Sequence, residues 1–264
     1  MPFSNGKVRI YYETCGDGPA MVLIHANPFD HRLWMYQTAR WSSFYRIVAV
    51  DIRGYGRSDK PETPFTLADM AEDVLEVCRA EGIETAIFAG VSVGSGMALL
   101  IALDHPELAQ AVILVGGSSK GNPSSMQRHI EGFLSLDVPR YQKRMLAECT
   151  APGFPDTERG RWLLGMFADK AHFLSGRSIA RIMEARMGCN MQPRLKQLRV
   201  PTLVVNGEHD ASLAGGKETA ALIPGAEHAV IKGAGHCCNL EEPIAFERAV
   251  IPFLAKHRLW RGPV

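Results

Sequence analysis

The sequence lacks the features that mark several special classes of protein. Basic and acidic residues nearly cancel, 29 against 28, so the formal net charge of +1 gives no reason to expect nucleic acid as a partner. No apolar run reaches the length of a membrane-spanning helix. Met1–Lys7 contains no basic stretch followed by an apolar one, as a secretory signal would. Repeats and low-complexity tracts are also missing. We therefore expect a globular protein that binds neither nucleic acid nor a membrane.

The cysteines follow no framework either. They form no C-x-x-C motif and show no metal-ligand spacing, which argues against a disulfide scaffold or a zinc site. Reduced thiols in a cytoplasmic protein are the interpretation that fits best. The vicinal pair Cys237-Cys238 is unusual. The six residues are Cys15, Cys78, Cys149, Cys189, Cys237 and Cys238.

What the chain does have is a regular alternation of strand-like and helix-like patterns. With 264 residues, 46% of them hydrophobic, it can bury a sizeable core. Several apolar runs do not alternate with polar residues, which indicates strands buried on both faces, as in a parallel sheet covered by helices. The predicted strands are Val8–Tyr12, Ala20–His25, Arg46–Asp51, Ala86–Val91, Ala111–Val115, Thr202–Asn206 and His228–Lys232, and the predicted helices are His31–Ser42, Thr66–Glu81, Val93–Leu103, Leu213–Leu222 and Pro243–His257.

The alternation stops between residues 118 and 196. We predict that this segment is a helical lid (cap) inserted into an α/β core formed by residues 1–117 and 197–264. Such insertions are where enzymes of this architecture build their specificity. The segment holds 13 basic and 7 acidic residues. One interpretation is a solvated helix face; the other is a pocket that attracts an anionic, carboxylate-bearing substrate.

The most informative segment is Gly90-Val91-Ser92-Val93-Gly94. This G-x-S-x-G sequence follows a strand-like run and precedes a helical pattern, the context in which the motif indicates a nucleophilic serine. The sharp turn leaves no room for side chains at Gly90 and Gly94. Ser92 would then lie at the tip of the turn, where the helix N-terminus stabilises developing negative charge.

A serine hydroxyl needs a base, and the base needs a carboxylate to orient it. His236 is the best candidate base, since it lies in a glycine-flanked loop after a predicted strand. Asp210 follows the apolar strand Thr202–Asn206 by one turn, and we prefer it to Glu208 as the acid. Two backbone N–H groups should hold the substrate oxyanion. We assign them to Val93, which follows the nucleophile, and to Asn27 in the loop after Ala20–His25, because Pro28 has no N–H.

These residues together resemble the α/β-hydrolase superfamily over nearly the whole chain, including its order of serine, acid and histidine. The resemblance implies that Asp51–Ser58 is a structural turn without a catalytic role. The N-terminal half is most similar to 3-oxoadipate enol-lactonases and related small esterases, although Ala26 and Ser95 replace their usual glycines. The loop 25–34 also resembles haloalkane dehalogenases, but these enzymes and epoxide hydrolases use an aspartate nucleophile, and Ser92 argues against both. The matching segments are 25–28, 51–58, 90–94, 207–210, 235–236 and 242–243.

The resulting hypothesis is a serine hydrolase that cleaves a small carboxylic ester or lactone through an acyl-enzyme and requires neither metal nor organic cofactor. Two alternatives stay open. The same triad could hydrolyse an amide or a carbon–carbon bond beside a ketone, or the fold could serve a binding protein with an idle triad.

Overall fold

The structure is a computed structural model that describes residues 3–135 and 137–263. Within these residues, seven strands form one sheet in the order β1-β3-β2-β4-β5-β6-β7. β1 pairs with β3 in antiparallel orientation, and all other neighbours are parallel. The central strand β4 is buried at every residue, as its continuous apolar run predicts. The strands are β1 Tyr12–Cys15, β2 Ala20–Ile24, β3 Arg46–Val50, β4 Ala86–Val91, β5 Ala109–Val115, β6 Thr202–Gly207 and β7 Glu227–Ile231.

The prediction of the first strand is wrong. The expected strand Val8–Tyr12 is displaced to Tyr12–Cys15, which runs along β3 at the edge of the sheet. Its residues after Tyr12 are exposed, so they carry no apolar pattern that could have revealed them. Tyr11 forms an isolated bridge with Phe3, and its carbonyl oxygen accepts a hydrogen bond from the Asp51 backbone N–H at 2.8 Å. Ile10 and Tyr11, just before β1, are buried by loop packing, which sequence periodicity does not distinguish from a strand.

The helices surround the sheet close to their predicted positions. Thr66 caps α2 by accepting a hydrogen bond from the Asp69 backbone N–H, while the Asp69 side chain accepts from the Thr66 N–H, a reciprocal arrangement that fixes the helix start. The predicted helix His31–Ser42 is a short 3₁₀ turn, His31–Trp34, followed by α1. The helices are α1 Met35–Trp41, α2 Leu67–Ala80, α3 Val93–Asp104, α4 Pro123–Ser135, α5 Val138–Glu148, α6 Glu158–Ala168, α7 Gly176–Met187, α8 Leu213–Leu222, α9 Cys238–Glu241 and α10 Pro243–Lys256.

Residues 118–196, which we call the helical segment, contain α4 to α7 and contribute no strand to the sheet in the part the structure describes. Its two ends meet, since Lys120 and Asn190 form an isolated antiparallel bridge. The segment therefore leaves the core after β5 and returns at nearly the same place. None of the helices in residues 3–135 and 137–263 has the length and apolar character needed to cross a membrane.

Because the strands are parallel, the loops that follow them lie together at the carboxyl-terminal end of the sheet. The chain leaves β2, β4, β5, β6 and β7 at their carboxyl ends, where open α/β sheets bind their ligands. Ser92 follows β4, Asp210 lies just after β6, and His236 follows β7. The sheet thereby places three distant parts of the sequence at the same edge.

Candidate active site

Ser92 occupies a strained turn between β4 and α3. Its φ of 57° and ψ of −111° lie outside the regions that a non-glycine residue ordinarily adopts. The turn can form because the residues two positions before and after Ser92 have no side chain. A Cβ added at Gly90 would lie 2.1 Å from the carbonyl oxygen of Gly94. A Cβ added at Gly94 would lie 2.4 Å from the carbonyl oxygen of Ile24 in β2. Both glycines are therefore required by the close approach of backbone segments, as the sequence predicts.

His236 and Asp210 form a hydrogen-bonded pair. The distance from His236 Nδ1 to Asp210 Oδ1 is 2.8 Å. The Asp210 side chain is fully buried, whereas the His236 side chain is 20% exposed. Burial by itself would lower the pKa of His236, but the adjacent Asp210 carboxylate outweighs it and raises that pKa above the usual 6.5. Burial likewise opposes ionisation of Asp210, yet His236 and several hydrogen bonds hold its pKa below the ordinary 3.8.

Three further groups hold the Asp210 carboxylate. Asn206 Nδ2 donates to Oδ2 at 2.8 Å, and the Ser212 backbone N–H donates to Oδ1 at 2.8 Å. The Ser212 hydroxyl lies 2.9 Å from Oδ1 and 2.8 Å from Oδ2. Asn206 is itself fixed, because its Oδ1 lies 3.0 Å from Nε2 of His228 on β7. These contacts orient the carboxylate toward His236. The sequence analysis did not identify Asn206 or Ser212, and the only available signal was an amide side chain at the end of an apolar strand.

Ser92 and the His236–Asp210 pair border one cavity of about 490 Å³. Among the described residues, no hydrogen bond joins the Ser92 hydroxyl to His236. Catalytic contacts of this kind are commonly long in the absence of substrate and shorten in the complex. The structure thus places all three predicted residues at one site, with the acid–histidine contact formed and the serine facing the same space.

The two predicted oxyanion residues also line this cavity. Val93 is the first residue of α3, and Asn27 lies in the loop after β2, at the cis Asn27–Pro28 peptide. Within the part of the chain that the structure describes, neither backbone N–H donates to an acceptor of the protein. Buried N–H groups rarely stay unpaired, so two at one cavity are suited to a ligand oxygen.

The vicinal cysteines lie behind the histidine. Cys237 and Cys238 are fully buried, and burial raises the pKa of both thiols well above the usual value of 9.0. A thiol in such surroundings is unreactive. The Cys237 backbone N–H donates to the carbonyl oxygen of Cys149 at 3.1 Å, which connects the His236 loop to the end of α5. Their contribution is therefore packing next to the histidine.

One cluster has the residue types of a metal site. Ligand atoms of Asp30, His31 and Asp51 lie within 4.8 Å of one another. These groups already have partners, however: His31 Nδ1 lies 2.7 Å from Asp51 Oδ1, while Arg32 donates to Asp30 Oδ1 from Nε and to Asp30 Oδ2 from Nη2. The His31 backbone N–H also donates to Asp51, at 2.9 Å. The cluster joins the loops after β2 and β3 and gives no reason to assign a metal.

The sheet is parallel except for one edge strand, and helices flank it. The loops that follow its strands hold a serine turn and an acid–histidine pair. This combination defines the class of α/β hydrolases. The family model described as the alpha/beta hydrolase fold matches residues 19–159, and the chain belongs to this family. The predicted fold class and the resemblance stated from the sequence are both confirmed.

Several characterised proteins are similar over most of their length. The carboxylesterase YbfK of Bacillus subtilis is 27% identical over 94% of this chain and 84% of its own. The 3-oxoadipate enol-lactonase 2 of Acinetobacter baylyi is 25% identical, with 92% of each chain covered. Among solved structures, the enol-lactonase from Burkholderia xenovorans LB400 superposes with a TM-score of 0.89 and 26% identity, covering 96% of this chain and 100% of that one. The chain is thus similar to enol-lactonases and carboxylesterases of the same fold.

Proposed function

We propose that this hydrolase cleaves a small carboxylic ester or lactone by means of a Ser92–His236–Asp210 triad. The proposal rests on one observation: the strained Ser92 turn and the hydrogen-bonded His236–Asp210 pair line the same cavity. Relatives whose names are carboxylesterase and enol-lactonase support the choice of an ester or lactone as substrate.

In this mechanism His236 accepts the Ser92 proton while the serine oxygen attacks the substrate carbonyl. The imidazolium that forms is stabilised by Asp210, and it then protonates the leaving alkoxide. Water, activated by the same imidazole, hydrolyses the acyl-enzyme and releases the acid. Because His236 must be neutral to act as the base, the rise of its pKa to about 9 implies that the rate increases with pH up to about that value.

Negative charge develops on the carbonyl oxygen during both steps. The backbone N–H groups of Asn27 and Val93 are the proposed donors, since both line the cavity and have no other acceptor among the described residues. Each such donor contributes about 2.7–4 kcal/mol to stabilisation of the transition state.

Residues 118–196 act, in this proposal, as a lid over a core of residues 1–117 and 197–264. The support is that α4, α5 and α7 supply part of the cavity wall, through residues such as Met126, Met145 and Met183. The basic excess of this segment favours a substrate that carries a carboxylate in addition to the scissile bond.

The test combines labelling with turnover. A fluorophosphonate should label Ser92, and the protein should hydrolyse para-nitrophenyl acetate. Replacing the nucleophile, Ser92→Ala, should abolish labelling and reduce kcat by roughly 10⁶-fold if the triad acts as a unit. Ser125→Ala is the matched control, because Ser125 lines the same cavity but belongs to α4 and not to the serine turn. Wild-type activity in Ser92→Ala would overturn the mechanism. A separate panel of enol-lactones, amides and β-diketones would identify the type of bond that the protein cleaves.

A further inference from the structure

Arg186, near the end of α7, lies deep in the helical segment and lines the cavity that contains Ser92. Only 5% of the residue is exposed. Its side chain packs against the first turns of α3, since a Cβ added at Gly96 would lie 3.3 Å from Arg186 Nε. A guanidinium is therefore held next to α3, the helix that follows Ser92.

Residues 3–135 and 137–263 provide no counterion for this buried cation. Nη2 donates to the carbonyl oxygen of Ser118, and Nη1 is buried with no hydrogen-bond partner among those residues. No carboxylate of the described residues lies within salt-bridge distance of Arg186. Burial of the guanidinium lowers its pKa, which reflects the cost of holding a charge away from water. Buried charges in proteins are normally paired, and an unpaired one is strongly destabilising.

The other charged groups of the cavity, which include the exposed carboxylates of Glu148 and Glu218, differ from Arg186. Lys120 and Arg128 are exposed at its rim, and Arg128 has a partner in Glu148, with Nη2 3.4 Å from Oε2. The Asp210 carboxylate already contacts His236 and accepts hydrogen bonds from its other donors. Among the cations at this cavity, Arg186 is the buried one whose charge the described residues leave uncompensated.

We propose that Arg186 binds a carboxylate on the part of the substrate that is not cleaved, so that the enzyme prefers esters or lactones of dicarboxylic acids. The inference rests on the proposed hydrolase function and specifies its substrate class. A carboxylate supplies the missing negative charge, and its two oxygens match the planar fork of a guanidinium.

The position of Arg186 also limits the length of the substrate. The Gly96 backbone N–H donates to the Ser92 carbonyl oxygen at 3.1 Å, so these residues lie one turn apart on α3. One turn rises about 5.4 Å. A carboxylate at Arg186 is therefore separated from the reacting carbonyl by a short chain of methylene groups rather than by a long acyl tail.

The decisive experiment compares two substrates that differ in one charge. We would measure kcat/KM for the mono-para-nitrophenyl ester of adipic acid and for para-nitrophenyl hexanoate, with the spontaneous rate subtracted. Wild-type protein should prefer the adipate ester by roughly 10- to 100-fold, the range expected for hydrogen bonds to a charged group. Arg186→Gln should reduce this ratio to about one while retaining hydrolysis of the hexanoate, and Arg186→Lys should give an intermediate ratio.

Two controls separate this site from a general effect of basic residues. Arg177→Gln removes an exposed arginine from the same helix and should leave the ratio unchanged. Attraction by the exposed rim cations would disappear at high salt, whereas contact with a buried cation persists. If Arg186 only holds α7 against the Ser118 carbonyl, Arg186→Gln will impair hydrolysis of both substrates equally, and that result would overturn the proposal.

Binding measurements on the wild-type protein avoid any effect of substitution on folding. Adipate should inhibit hydrolysis of para-nitrophenyl hexanoate competitively and at least about 10-fold more strongly than the neutral diamide adipamide. Equal inhibition by the two compounds would reject the carboxylate site. Calorimetry would measure adipate binding directly, and binding that disappears in Arg186→Gln would support the carboxylate site. Failure of the fluorophosphonate to label Ser92 would count against the proposed hydrolysis but not against this site.

Discussion

Asn206 determines how the Asp210 carboxylate is presented to the histidine. It is fully buried, donates to Asp210 and in turn contacts His228, so its amide has a defined orientation. A Cβ added at Gly216 of α8 would lie 2.0 Å from Asn206 Oδ1, which shows how closely the helix approaches this side chain. At the scale of a single residue, the proposed catalytic acid Asp210 is oriented by a neighbour that has no part in the proposed chemistry.

We predict that Asn206→Leu, which preserves volume but removes the donor, will reduce kcat by roughly 10-fold or more, the loss expected for one hydrogen bond to a charged group. KM should change little, because Asn206 does not line the cavity. Steady-state kinetics would separate the two parameters. The control is His228→Gln, whose amide can still donate to Asn206, and it should retain most of the activity. A rise in KM with unchanged kcat would contradict this role.

The turn from β4 to α3 is the element on which the candidate site depends. Its glycines were recognisable from the sequence because the motif is local and occurs between a strand and a helix. The reason for Gly94, however, is a contact with β2, a strand nearly 70 residues earlier in the chain. Local sequence therefore predicted the turn, and the sheet explains why it tolerates no side chain.

Gly94→Ala should lower the free energy of unfolding by about 1–3 kcal/mol, because the new methyl group would lie 2.4 Å from the Ile24 carbonyl oxygen. Gly165→Ala is the matched control. Nothing lies within 4 Å of a Cβ at this position inside α6, so the same substitution should stabilise the protein by about 0.5–1 kcal/mol. Urea unfolding of both variants tests the prediction, and equal effects of the same sign would refute it.

At the scale of the whole molecule, Glu241 joins the helical segment to the histidine loop. Its carboxylate accepts hydrogen bonds from the backbone N–H of Ala151 at 2.6 Å and of Gly235 at 3.0 Å. Burial disfavours the charged form more than these bonds favour it, and the pKa of Glu241 rises from 4.5 to about 7. The junction between the two parts of the chain therefore titrates near neutral pH.

This shift predicts a pH dependence of stability. Folded protein binds the Glu241 proton more tightly than unfolded protein, so protonation of Glu241 increases the free energy of unfolding. This stabilising contribution is complete below pH 4.5 and is lost as the pH rises through about 7. Glu241→Gln cannot ionise, and its difference from wild type in free energy of unfolding should change over that interval. Urea titrations at several pH values would measure it. Glu242→Gln, at a half-exposed neighbour, should keep the wild-type slope, and parallel curves for Glu241→Gln would contradict the prediction.

The errors and omissions of the sequence analysis have physical causes. The edge strand Tyr12–Cys15 was missed because its outward residues carry no apolar pattern. Asn206, Arg186 and Glu241 were missed because each acquires its role from contacts with residues distant in sequence. Ser92 was found because its signal lies in five consecutive residues.

By itself, the sequence determined the parallel architecture, the serine turn and the order of the three candidate catalytic residues, since buried apolar runs and glycine-flanked turns are local properties. Only the tertiary structure decided which carboxylate contacts His236, which amide holds that carboxylate and which arginine is buried at the cavity. Those outcomes depend on distances between atoms of separate elements, and a linear pattern of residues does not contain such distances.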